Sequence, residues 1–438
     1  MTYYRRRETT ASAGVLLVSV LSVLLFALMG AAQAVTTGMV SSMGNDQYGQ
    51  LGNGSDGSST SPVAVAGLTN VIQIDGGREH AVALRSDGTV WAWGHNQYGE
   101  VGDGTKTNRQ SPVQVSGLSG VVAVETGHYY SMALKSDGSV WMWGWNKYGT
   151  LGDGTTTNRT TPVKVTGISN VIAIAGARDH TLALEADGSV WAWGDNEFGN
   201  LGIGNTTNHT TPVQVHNLAN VVAIAGGRDH SLAIESDGSV WAWGWNQYGQ
   251  IGDGTRGTNK LLPVQVKGLT GATMVSAGAD HSMALKSDGT VWAWGQNNDG
   301  QLGDGTKTNR STPVKVSGLA NVVDIGNGRL HSLAVESDGS AWAWGLNTDG
   351  QLGDGTKTNR STAVKVSGLA NVVDIGNGRL HSLAIESDGS AWAWGLNTDG
   401  QLGDGSATNR ATPVRIPGIT GAFGLGGGVN YSIVLHSP

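Results

Sequence analysis

The feature that most constrains this chain is a Trp-x-Trp-Gly motif that returns at nearly constant spacing. It begins at Trp91, Trp141, Trp191 and Trp241, each 50 residues apart, and continues at Trp292, Trp342 and Trp392 after steps of 51, 50 and 50. Self-similarity at such a period marks a repeat architecture that grows as one body, so the 438 residues need not be divided into domains of average size. The stretch Leu319 to Thr362 recurs almost unchanged fifty residues later, as expected of a recent duplication. A unit of this length is too long for a leucine-rich repeat and suits a propeller blade.

The unit beginning at Gly227 serves as the pattern. His230-Ser231-Leu232-Ala233-Ile234 alternates large and small residues and predicts a strand. The Asp237-Gly238 pair that follows predicts a tight hairpin. Val240 to Gly244 is then a second strand with both Trp rings on one face and Val, Ala and Gly on the other. A Gly-rich loop runs from Asn246 to Lys260. Pro263 to Val266 starts a third strand, with Pro at its entrance where the missing donor is harmless. A fourth returns to Gly278. Four antiparallel strands per unit predict an all-β, closed β-propeller.

Rings on one face and Ala or Gly on the other let neighbouring blades approach closely. A buried Trp removes roughly 150–250 Å² from water, about 4–6 kcal/mol at most. All fourteen motif Trp are therefore expected in the core. The chain ends complete each other. Met43 to Gly52 matches a second strand and its loop, whereas Gly428 to Leu435 matches a first strand. Pairing them closes the ring and leaves no free edge. Seven complete hairpins plus this shared one give eight blades.

Composition narrows the function classes. Gly is abundant (69) and Cys absent, which removes thiol chemistry and Cys-ligated metals. The formal charge of −7 is unlike the basic footprint of a nucleic-acid binder. Arg5, Arg6 and Arg7, an apolar run from Ala13 to Leu28, and Ala32-Gln33-Ala34 have the layout of a secretory signal peptide. The expected organisation is a signal peptide over 1–34 and one propeller over 35–438. The mature chain is expected outside the bacterial cell or in a periplasm, as a monomer without a membrane anchor. An uncleaved N-terminal anchor is the alternative.

The combination Gly-x-x-His-Ser-x-Ala-Leu, Asp-Gly-x-Val-Trp-x-Trp-Gly and Asn-x-x-Gly-Gln-Leu-Gly resembles the RCC1 (regulator of chromosome condensation) repeat over roughly residues 43 to 436. The resemblance implies a propeller, normally of seven blades. Family functions include nucleotide exchange on a nuclear GTPase with chromatin binding, ultraviolet photoreception and inhibition of a β-lactamase. The signal peptide and the acidic charge set the first apart from this chain. Arg78, Tyr129 and Arg178 stand where a photoreceptor would carry its sensing Trp, and the positions before the His are mostly charged where the inhibitor carries aromatics.

Strand direction places the Gly-Arg-Asp-His turns and the loops after Trp-x-Trp-Gly on one rim. That rim is expected to carry Arg78, Tyr129, Tyr130, Arg178, Asp179, Arg228, Asp229, Arg329 and Arg379. Trp145 and Trp245, which break the repeat, complete the candidate binding set. Aromatics with Arg are typical of binding hot spots; the alternative is a solvated ring of ion pairs worth little stability. The recurrent His (His80, His180, His230, His281, His331, His381) shares its register with Tyr130 and Tyr431, so a hydrogen-bonding stitch between blades is favoured over catalysis. Asp229-His230-Ser231 cannot form a triad, because neighbours in a strand face opposite ways. The Gly-Asp-Gly-Thr loops offer too few carboxylates for a hard-cation cage, and calcium there stays open. The reading is therefore a protein-binding module, with no enzyme activity, cofactor, metal or nucleic-acid partner expected. Its alternative is a lectin that stacks rim aromatics on sugars.

Overall fold

The structure, a computed structural model, describes residues 36–438; the expected signal segment lies outside them. Among the described residues there are 32 strands and no helices, arranged as eight four-stranded antiparallel sheets. The eight blades predicted from the sequence are all present, one more than the family norm. The chain first supplies β1 (Met39–Gly44) and β2 (Ser59–Ala64). The first complete blade is β3 (Val71–Gly76), β4 (His80–Arg85), β5 (Val90–Gly94) and β6 (Arg109–Gln114), ordered from the channel outward. Six more blades repeat this order, from β7 (Val121–Thr126) to β30 (Arg410–Arg415). They are numbered second to seventh in chain order.

Closure is as expected from the chain ends. The eighth blade takes its two inner strands from β31 (Ala422–Gly427) and β32 (Tyr431–His436) and its two outer strands from β1 and β2. The seam pairs Met39 with His436 and continues without a break to Gly44 with Tyr431.

The unit is phased differently from the expectation. Ala272–Ala277, placed above as the fourth strand of the His230 blade, pairs instead with His281–Lys286 and opens the next blade at its channel edge. Chain-adjacent strands are antiparallel on either side of the sheet boundary, so the residue pattern does not mark where one sheet stops. The pairing shows that the boundary falls at the turn through Gly268, and that the three-residue turn at Gly278 joins strands of one sheet.

The core lies between blades in eight separate clusters. One joins Met132, Leu134, Val140 and Met142 of the second blade to Trp193 of the third. At the seam Met43 replaces the Trp and packs against Leu383 and Ile385. The second Trp of each motif is fully buried, and its Nε1 donates to a carbonyl of the preceding blade, as Trp193 does to Thr150 O at 2.8 Å. The first Trp of each pair is only half-buried near the opposite rim, where Trp141 Nε1 donates to Ser139 Oγ at 3.2 Å. Seven of the fourteen motif Trp, not all, are thus full core residues. The pair shares a face, but a five-residue strand spans the sheet, so the first ring reaches the surface.

The motif Gly has a backbone reason. Gly244 has φ of +100°, and a Cβ there would sit 2.7 Å from Asp229 O. That close approach holds the hairpin exit against the turn before the His strand.

Candidate functional site

Two loops of every blade meet on one rim, as strand direction predicted. The residue after each motif Gly donates its amide to the turn before the His strand. Trp145 N reaches Tyr129 O, and Trp245 N reaches Asp229 O, both at 2.9 Å.

Beneath this rim the recurrent His forms the predicted stitch. His180 Nε2 lies 2.9 Å from Ser231 Oγ in the next blade, and Ser231 Oγ donates to Asn200 O at 3.1 Å. Since the Ser proton goes to the carbonyl, the His must donate from Nε2. The same pair recurs at His80–Ser131, His230–Ser282, His281–Ser332, His331–Ser382 and His381–Ser432. Tyr130 and Tyr431 complete the circle by donating to His180 O and His80 O. Burial pushes His180 and His230 down to about 3, so they are neutral hydrogen-bonding groups at ordinary pH. Tyr130 is fully buried and so cannot belong to the contact surface, which corrects its place in the candidate set.

The exposed part of the rim divides into arcs. From the eighth blade through the fourth it is aromatic. Tyr48 stacks edge-on to His95 at 4.8 Å, and Tyr98 to Tyr129 at 5.4 Å. Trp145 meets Tyr148, and Trp245 meets Tyr248, both edge-on at 5.4 Å; Phe198 lies 6.0 Å from Trp245. Arg78 and Arg228 each lie over a ring at 5.3 Å, of Tyr129 and Trp245 respectively. Trp145 and Trp245 are half-buried: they brace their own loops and still present surface. On the fifth to seventh blades the Tyr positions are Asp299, Asp349 and Asp399. Their carboxylates accept from Asn359, Asn409 and Asn45 of the following blade at 2.9 Å.

Toward the axis, Arg78, Arg178, Arg228, Arg329 and Arg379 converge on the channel mouth and line a cavity of about 520 Å³. The third and fourth blades neutralise theirs, with help from Asp280 of the fifth. Arg178 Nε donates to Asp179 at 2.7 Å, and its NH2 reaches Asp229 at 2.9 Å. Arg228 Nε donates to Asp229 at 2.9 Å, with Asp280 at 3.8 Å. Asp179 and Asp229 are themselves buried and act as partners of the Arg rather than as contact surface. Burial raises the Asp179 pKa, an effect that Arg178 opposes. The predicted ion-pair ring is therefore real over part of the circle. In the sixth and seventh blades Leu330 and Leu380 replace the acid; among the described residues no carboxylate lies within salt-bridge reach of Arg329 or Arg379, and both are exposed.

Three site features were not read from the sequence. His128, not Tyr129, occupies the Arg78 register: both line the channel, and His128 Nε2 lies 3.2 Å from Arg78 NH1. Aligning Gly127-His128-Tyr129-Tyr130 with Gly77-Arg78-Glu79-His80 carries that signal. Asn327 on an inner strand also lines the mouth. His95 Nδ1 meets Glu100 at 2.8 Å in a buried pair. Burial lowers the His95 pKa, but Glu100 outweighs it and the net shift is upward. The Gly-Asp-Gly-Thr loops use their carboxylates internally: Asp153 binds Thr155 and Arg159.

The RCC1-like domain model matches residues 120–434. The RCC1 repeat matches residues 37–84 and 87–134, and a second form of it matches 71–100. Among solved structures, Prp20p from Saccharomyces cerevisiae, described with its binding properties to Gsp1p and histones, is 23% identical with a TM-score of 0.66 over 92% of each chain. Yeast RCC1 (Prp20) in complex with Kap60 is 21% identical, with a TM-score of 0.67 over 100% of this chain and 96% of that one. Human WBSCR16 is 22% identical, with a TM-score of 0.65 over 80% of this chain and 98% of its own. At these identities the likeness carries the fold alone.

Proposed function

We propose, for a chain that belongs to the RCC1-like domain family, that it is a secreted, non-enzymatic propeller which binds a protein partner through the aromatic arc of one rim. Propellers of this family mediate protein interactions, and Prp20p is described with Gsp1p and histones as partners. The observation that carries the reading is the run of half-buried rings at Tyr98, Tyr129, Trp145, Tyr148, Phe198, Trp245 and Tyr248, with Arg78 and Arg228 over two of them. Aromatic and Arg side chains held rigid by their neighbours lose little entropy on binding. The layout of Arg5, Arg6 and Arg7, the apolar run from Ala13 to Leu28 and Ala32-Gln33-Ala34 supports a site of action outside the cell.

The test is a pull-down from the cell surface and medium with the parent protein beside a Trp145→Ala, Trp245→Ala double variant. A protein kept by the parent and lost by the folded variant supports the arc. Equal retention by both, or capture of glycan alone, refutes it.

A further inference from the structure

We infer that the un-neutralised side of the channel mouth is a binding site for a small multivalent phosphate, held by Arg78, Arg329 and Arg379. This goes beyond the protein-binding rim and does not rest on it.

Around the axis, the sixth, seventh, eighth, first and second blades carry Arg329, Arg379, Val429, Arg78 and His128 at one register. These side chains line a hollow of about 300 Å³ on one side of the mouth, sharing Arg78, Arg329 and Arg379 with the larger cavity. Such a volume lies at the small end of ligand sites, about 300–1,000 Å³, and suits a compact group rather than a folded segment. Among the described residues the only carboxylate within 4 Å of these cations is that of Glu79, 3.7 Å from Arg78 Nε and beyond hydrogen-bond reach. Arg78 Nε is buried and has no hydrogen-bond partner. The opposite side of the same mouth shows what a satisfied Arg looks like here: Arg178 spends its donors on two buried carboxylates.

The charges on this side act on one another. Burial lowers the Arg379 pKa, with Arg329 and Arg78 adding to the effect. Burial and Arg78, Arg178 and Arg379 hold His128 down at about 4, so it stays neutral. Two cations with no carboxylate in reach, beside a third with only the loose Glu79 contact, favour an anion between them. Planar guanidinium forks match the paired oxygens of a phosphoryl group and take them two at a time. His128 already accepts from Arg78, which leaves its other ring nitrogen free to donate in the neutral form. Asn327 lies at the same wall, with its amide nitrogen given to Ser276 O at 2.9 Å.

Calorimetric titration of the full-length mature protein with pyrophosphate, at fixed ionic strength, tests the site. Saturable one-to-one binding is expected. It should weaken about tenfold or more in Arg329→Gln, Arg379→Gln, where two charge-assisted contacts are lost. Arg178→Gln, on the neutralised side, should change it less than about threefold. Both Arg329 and Arg379 are exposed and unpaired, so the double variant is expected to melt as the parent does. Absence of saturation, equal loss in the two variants, or equal affinity for hexaglutamate would each overturn the assignment; the last would make the site a carboxylate acceptor.

Discussion

The third and fourth blades and the sixth and seventh blades share one scaffold and carry opposite rims. In the first pair Phe198, Trp245 and Tyr248 stand on the loops, and Arg178 and Arg228 are bound by Asp179, Asp229 and Asp280. In the second pair the rings give way to Asp349 and Asp399, which bond to the next blade, and Arg329 and Arg379 stand unpaired. Beneath both pairs the same Trp, His and Ser hold adjacent sheets together. The lesson is that the interblade layer varies little, with Tyr130 and Tyr431 at two His positions and Met43 at one Trp position, because each residue there is buried between two blades, whereas the exposed rim residues are freer to diverge.

If that layer is truly uniform, its loss should cost the same in both regions. Trp193→Ala and Trp344→Ala are each expected to destabilise by about 3–5 kcal/mol in denaturant unfolding, and a gap between them larger than the cavity effects would break the comparison. Ser231→Ala and Ser382→Ala, which strand a buried His donor, should each cost about 1–3 kcal/mol by the same measurement.

The regions are expected to differ in their response to pH. At one inner-strand register the third and fourth blades have Ala173 and Ala223, and the sixth and seventh have Asp324 and Asp374. Burial, then Asp324, raises Asp374 to about 8, and burial raises Asp324 to about 6. A carboxyl with a raised folded pKa keeps its proton in the folded state while the unfolded chain loses it. Stability therefore falls as pH rises from about 4 towards 8. The melting temperature should be higher at pH 5 than at pH 8, and Asp374→Asn should flatten that slope and gain on the order of 1–2 kcal/mol at pH 8. A slope unchanged by Asp374→Asn would place the pH dependence elsewhere. His95 adds to the same direction: its pKa is raised by Glu100, so its contribution is present at low pH and is lost as pH rises through the folded value.

The smallest difference concerns the channel Arg. Arg228→Gln removes a pair that is partly open to solvent and should cost less than about 1 kcal/mol. Arg379→Gln should be neutral or slightly stabilising at low salt, because it relieves repulsion, and added salt should erase the gain. A cost for Arg379→Gln as large as that for Arg228→Gln would mean that the sixth and seventh blades hold a counter-charge after all.

Periodicity and the matching chain ends were enough to read the blade number, the ring closure, the shared rim and the stitching role of His. Each follows from strand alternation and from a register repeated in every unit, and such signals survive averaging over copies. Three things were decided only by the tertiary structure. The sheet boundary fell one strand away from the expected place, since every neighbouring strand is antiparallel whichever sheet it joins. Tyr130 went into the interior and the first Trp of each pair moved toward the surface, because burial depends on how far a side chain lies from the edge of the blade as well as on which face it takes. The channel mouth, finally, is assembled from Arg78, Arg329 and Arg379, which are far apart in the chain and adjacent around the axis. Only closure of the ring brings such positions together, so their shared charge, and what it can bind, is a property of the circle rather than of any one repeat.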